Sequence, residues 1–121
     1  MNSGLEAEVL FDYLAIEKNI MVSRPAGDAD YDRICDCNGK LTKVQIKSTT
    51  FREKGCYIIK TSKRFKGARV IYGSDVDIIA VYVKPESCWL LVPSAIIKST
   101  VLKFSVKGKY RKYINNWSCL V

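Results

Sequence analysis

Four side chains carry groups that can act together on a phosphate: Glu8, Asp32, Gln45 and Lys47. They bring two carboxylates, a neutral amide oxygen and an ammonium. A hard dication such as magnesium takes oxygen ligands, commonly one or two carboxylates completed by water and substrate phosphate. A lysine beside it can hold an attacking water and stabilise charge on the phosphate. The set is equipped for phosphodiester hydrolysis by a metal-activated water. Each member also has a plainer reading: Lys47 as a solvated strand lysine, Asp32 as a turn residue, Glu8 as half of an ion pair with Arg24 or Arg33. Gln45 alone carries almost no information. Asp28, Asp30, Asp75 and Asp77 are alternative carboxylates read as turn or strand-entry residues, with Asp30 the substitute should Asp32 face away.

The elements around these residues decide whether they can meet. "KVQIKS", Lys43 to Ser48, alternates strictly, so Val44 and Ile46 share one face of a strand and Gln45 and Lys47 the other. Upstream, Tyr31 to Cys37 reads as a strand, Asn38-Gly39 as a two-residue hairpin turn, and Lys40 to Ser48 as the returning strand. The hairpin puts Asp32 beside Gln45 and Lys47. A helix is expected from Ser3 to Lys18, with Ser3 as cap and Glu6 three residues on as in a capping box. Its apolar stripe centres on Leu10, Phe11 and Leu14, opposite Glu6, Tyr13 and Glu17. Glu8 borders that stripe, a costly position for a carboxylate unless a cation meets it.

Along the rest of the chain, Ile20 to Ser23 reads as a short strand and Arg24 to Asp32 as a turn-rich loop. Cys56 to Lys60 reads as a strand and Thr61 to Tyr72 as a basic loop. "DIIAVYV", Asp77 to Val83, is nearly continuous apolar, as a strand buried on both faces should be. Trp89 to Val92 adds a strand, Pro93 starts a short helix through Ile97, Val101 to Val106 closes the sheet, and Tyr110 to Trp117 forms a last turn. The pattern is one helix, a meandering mixed sheet and a small second helix, in a single domain over residues 1–121.

Charge points to the partner. Lys and Arg number 20 against 12 Asp and Glu, a net +8, and the signs are segregated. Eight of the acids lie in the first 36 residues, while Arg52 to Arg69 holds seven basic residues and only Glu53 as an acid. Such a field favours polyanions. Arg52, Lys54, Lys63, Arg64, Lys66 and Arg69 form one candidate nucleic-acid-binding group, and Lys107, Lys109, Arg111 and Lys112 a second. Phe51, Tyr57, Phe65, Tyr72, Phe104, Tyr110 and Tyr113 lie among the basic residues, where rings can stack on bases, though most are expected in the core. There is no histidine, which excludes Ser-His and Cys-His nucleophiles. The five cysteines are scattered and read as free, reduced thiols. No apolar run is long enough to span a bilayer, and the acidic N-terminus is unlike a signal peptide, so a soluble, cytoplasmic protein is expected.

The order of a helical Glu, an Asp, and then a hairpin strand with Gln-x-Lys resembles the PD-(D/E)XK nuclease superfamily. The residues that carry the likeness are "GLEAE", "DYDRI" and "VQIKST", and more loosely "DVDIIAVYV". The resemblance is nearest to the branch that has Gln-x-Lys where an acidic residue is usual, which includes intron-encoded homing endonucleases. It implies an α/β, restriction-endonuclease-like core, a central mixed β-sheet flanked by helices, and magnesium-dependent cleavage of double-stranded DNA, with manganese as a substitute ion. Asp32 would be the central metal ligand, Gln45 would stand in place of the second acidic ligand, Lys47 would be the catalytic lysine and Glu8 the helical glutamate. Homodimers or higher homo-oligomers are implied for cutting both strands. A Holliday junction resolvase acting on branched DNA is the related alternative, and a non-catalytic nucleic-acid-binding module the alternative from another class.

Overall fold

The alternation in Lys43 to Ser48 becomes the centre of the architecture in the computed structural model, which describes residues 3–72 and 75–121 and, of Ser3, the backbone only. Helix α1 (Ser3–Glu17) is followed by β1 (Met21–Ser23), β2 (Arg33–Cys37), β3 (Lys40–Thr49), β4 (Arg52–Glu53) and β5 (Cys56–Lys60). Then come β6 (Ser62–Phe65), β7 (Ala68–Ile71), β8 (Ile78–Val83), β9 (Cys88–Pro93) and β10 (Val101–Phe104). The expected Ser3 cap lies outside the described residues. Its capping-box partner Glu6 instead meets Lys84 at 2.8 Å.

The central sheet has the order β1-β2-β3-β8-β9. It is mixed: β3 and β8 run parallel, with Gln45 beside Ile79 and Lys47 beside Val81, while the other neighbours are antiparallel. A parallel pair needs a long crossover, and residues 50–77 supply it. At the β2–β3 turn Asn38 and Gly39 both have positive φ, 53° and 89°. The turn that Asn-Gly favours is therefore the one that forms.

Each face of this sheet has its own core. Against α1 lie Val44, Ile46, Ile78, Ala80 and Leu91, closed by Ala7, Phe11 and Ala15 and by Trp89 and Trp117. Phe11 meets Trp89 edge-on at 5.7 Å between ring centres. On the opposite face Ile79, Val81, Leu90 and Val92 pack with Tyr57, Ile59, Leu102, Phe104 and Tyr72. Strand β8 thus feeds both cores with alternate residues, which explains its uninterrupted apolar sequence. Each fully buried aliphatic chain contributes about 1.5–3 kcal/mol, so the burial of β8 and β9 does much to hold the two faces together.

Three expectations need correction. Thr61 to Tyr72 is largely a β-hairpin: β6 pairs with β7, turning at Lys66 and Gly67, both with positive φ. Strand β10 does not close the central sheet; it pairs with β5 in a separate three-stranded sheet of order β10-β5-β4. The expected helix at Pro93–Ile97 is a single 3-10 turn at Ser94–Ile96. The second core is therefore covered by strands and turns, and α1 covers the first together with the C-terminal turn of Trp117 and Leu120. The centre of α1's buried stripe is Ala7, Phe11 and Ala15, with Leu10 and Leu14 half-buried at its border. Among the described residues no helix is long and apolar enough to cross a membrane.

Candidate active site

Asp32 stands at the entry of β2, and the hairpin dictates where its carboxylate goes. Its backbone N–H donates to the Val44 carbonyl at 2.8 Å, and its own Oδ2 accepts the Ile46 N–H at 2.8 Å. Asp32 therefore flanks Gln45, between the two backbone contacts. Gln45 and Lys47 follow the alternation onto the sheet face away from α1, each half-buried. Among the described residues the Gln45 amide has no hydrogen-bond partner, so its oxygen is available at the site.

Burial pushes the Asp32 carboxyl above its ordinary value. The Ile46 N–H works against that, the negative charge of Glu8 adds to it, and the charges of Arg33 and Lys47 oppose it. The charges of Glu8 and Lys47 thus both reach Asp32, and Gln45 joins Asp32 through the strand register. Two half-buried carboxylates that repel one another are what a bound dication relieves.

Glu8 is not solely directed at that centre. Arg33, only 2% exposed, donates from Nη1 to Glu8 Oε1 at 3.0 Å and from the same nitrogen to the Asp32 carbonyl at 2.8 Å. Its Nε and Nη2 grip both oxygens of Asp12 at 2.8 and 3.1 Å. Burial disfavours the guanidinium's charge, but Asp12 and then Glu8 outweigh it and hold its pKa above the ordinary value. The plainer reading of Glu8 as an ion-pair partner of Arg33 is realised, and its charge also reaches Asp32. Asp12 was not among the expected site residues. Its signal is the spacing: Arg33 shares the helix-facing side of β2 with Cys35 and Cys37, and a buried arginine there demands acids one helical turn apart on α1.

The other carboxylates are otherwise engaged. Asp30 pairs with Lys63, with Asp75 at 4.0 Å from the same ammonium, and Asp77 Oδ2 accepts the Lys43 N–H at 2.9 Å. Asp28 is exposed on the loop. Among the described residues no three His, Cys, Asp or Glu side chains gather as a ligand group. The donor set of two carboxylates and one amide oxygen fits an ion that keeps several of its waters, as magnesium does. The cysteines are free thiols, and burial pushes Cys35 up to about 12.

Of the basic residues, Arg52, Lys54, Arg64, Lys66, Arg69, Lys107, Lys109, Arg111 and Lys112 are exposed, and Lys63 is half-buried by its pairing with Asp30. Tyr57, Tyr72 and Phe104 belong to the second core, whereas Phe51 and Phe65 are exposed beside basic neighbours. Lys109 and Lys112 each lie 5.2 Å from the ring centre of the tyrosine that follows them in sequence.

A family profile described as PD-(D/E)XK endonuclease matches residues 3–118. The chain belongs to that family. This PD-(D/E)XK endonuclease is similar in structure to a bacterial homing endonuclease, I-Ssp6803I, with a TM-score of 0.78 and 25% identity over 97% of this chain and 87% of that one. It shares its fold with Hjc, a Holliday junction resolvase of Archaeoglobus fulgidus, with a TM-score of 0.64 and 11% identity over 98% of this chain and 96% of the other. No curated protein matches the chain. The mixed sheet and its helix are the restriction-endonuclease-like core expected of the family.

Proposed function

We propose that this nuclease is a magnesium-dependent endonuclease that hydrolyses phosphodiester bonds of double-stranded DNA in the manner of a homing endonuclease. The observation that supports the reading is that Asp32, held between Val44 and Ile46 of the strand that presents Gln45 and Lys47, feels the charges of both Glu8 and Lys47. Asp32, Glu8 and the Gln45 amide oxygen would hold the ion, magnesium or manganese in its place. Bound there, it would supply a water of lowered pKa and a Lewis acid for the phosphate. The chain's own groups do the rest. The Asp32 carboxylate is aimed by the Ile46 N–H, Glu8 is anchored by Arg33, and the Lys47 ammonium stabilises charge gathering on the phosphate oxygens. The exposed basic residues of the 52–69 and 107–112 segments contact backbone phosphates, which fixes position without reading sequence.

One centre per chain serves one strand, so a homodimer or higher homo-oligomer is part of the reading. Val9, Tyr13 and Ile16 on the outer face of α1 are each more than half exposed and sit in the acid-rich part of the chain, where DNA is repelled. That face suits a second copy of this chain. Ile16→Glu is expected to give a lighter species in sedimentation, and an unchanged mass would remove this face from the assembly.

Plasmid nicking tests the function. Magnesium should support cutting by the wild type, while Asp32→Ala and Lys47→Ala should bind DNA and not cut it. Activity that survives both substitutions would end the assignment. DNA binding that needs no magnesium, with no cutting by any form, would mark a non-catalytic module. The shared fold with Hjc favours junction resolution as the second reading, and faster cleavage of a four-way junction than of linear duplex would select it.

A further inference from the structure

Lys47 leaves β3 on the side of the second core, beside Val81 of the parallel strand. Its backbone is fixed there by the ladder, but the four-carbon stem is not, and a free lysine chain retains large rotamer freedom. One contact orders its head. The Lys47 ammonium lies over the ring of Tyr72, 5.3 Å from the ring centre. Tyr72 is itself 9% exposed and packed into the second core, so the ring is a fixed surface. A desolvated aromatic face attracts an ammonium through its quadrupole, more strongly than an exposed one does.

Tyr72 has a second connection. It directly follows β7, the returning strand of the basic β6–β7 hairpin. The hairpin's other strand carries Lys63, which is bonded to Asp30 in the loop leading to Asp32. Lys63's ammonium is held above its ordinary value first by that bond, and Tyr72 is near enough to add to the effect. The hairpin is thus tied at Lys63 to the loop of the aspartate, and its end residue seats the lysine.

We propose that Tyr72 is a positioning residue that holds the Lys47 ammonium at the reaction centre through its ring face. The inference rests on the reading of Lys47 as the catalytic lysine. No hydrogen bond from the Tyr72 hydroxyl is found among the described residues, so the ring and not the hydroxyl is the working part.

The test compares wild type, Tyr72→Phe and Tyr72→Leu in single-turnover plasmid cleavage with magnesium, alongside DNA affinity and the proton–nitrogen NMR signal of the Lys47 ammonium. Tyr72→Leu should lower the cleavage rate about tenfold, leave DNA affinity unchanged and remove the ring-current shift of the Lys47 signal. Tyr72→Phe should keep rate and shift within about twofold of wild type. Tyr72→Met replaces the leucine variant if that one fails to fold. Wild-type cleavage by the aliphatic variant, or equal loss in the phenylalanine and aliphatic variants, would overturn the proposal. A wild type that never cuts DNA would instead refute the nuclease reading, and the Lys47 ring-current shift would still decide whether the contact exists.

Discussion

Nη1 of Arg33 lies 3.0 Å from Oε1 of Glu8, and the same nitrogen reaches the carbonyl oxygen of Asp32. The helical carboxylate is thereby fixed to the start of β2, where the aspartate stands, on the face of the sheet that α1 covers. Arg33 also neutralises Asp12, so its removal strands two acids around one buried position. Breaking a buried pair from one side costs about 3–5 kcal/mol. Arg33→Met is expected to lose stability on that scale in urea titrations. Arg33→Lys should recover only part of it, because an ammonium cannot form the two-pronged grip on Asp12.

Asp32 carries a penalty of the opposite kind. Its ordinary pKa is 3.8, and in the folded chain it is raised, chiefly by burial. A raised carboxyl stabilises the fold fully below its unfolded value, and that contribution is lost as pH rises through the folded value. At neutral pH the ionised Asp32 therefore weakens the fold. Asp32→Asn keeps an oxygen for the Ile46 N–H and removes the charge. At pH 7 its Tm should exceed that of wild type by about 2–5 °C, the difference should vanish near pH 3, and DNA cutting should be lost. A lower Tm at pH 7 would contradict the electrostatic account.

What was legible in the sequence followed from local rules. Asn38-Gly39 and the alternation of β3 placed Asp32, Gln45 and Lys47 together because a hairpin's register is set by its own turn. The β6–β7 hairpin was not legible because "SKRF" and "ARVI" present little apolar alternation, and Lys66-Gly67 is a weaker turn signal than Asn-Gly. The pairing of β10 with β5 and the seating of Lys47 on Tyr72 join residues far apart in the chain, and no local pattern encodes them. Glu8 lay between: its position beside the buried stripe demanded a cation, and Arg33 was one of two candidates. That the same guanidinium would take Asp12 with both prongs required the packed helix.

Arg64, Lys66 and Arg69 stand exposed on the β6–β7 hairpin, unlike Lys63, which is spent on Asp30. Phosphate contacts release counterions, and each one contributes about 0.9 to the slope of log affinity against log salt. Replacing the three by alanine should weaken binding to unrelated duplexes equally and flatten that slope by up to about 2.7. A triple variant with the wild-type slope would place the DNA on another surface.

Gln45 is where this chain departs from an acid-x-Lys site, and the departure can be reversed by one substitution. An added carboxylate would stand beside Asp32, whose two backbone contacts bracket residue 45, and add to the negative charge Glu8 already brings to it. At ~4 Å and an effective dielectric of ~20, each charge pair is worth on the order of 4 kcal/mol before desolvation is counted. Without metal, Gln45→Glu should therefore melt below wild type. With magnesium the third anion should turn from liability to ligand, so the Tm gain on adding magnesium should be larger than in wild type. The magnesium concentration for half-maximal cutting should fall about tenfold, the effect of roughly 1.4 kcal/mol. A variant whose Tm is indifferent to magnesium would show that residue 45 does not face the ion, and the donor set would have to be completed without it.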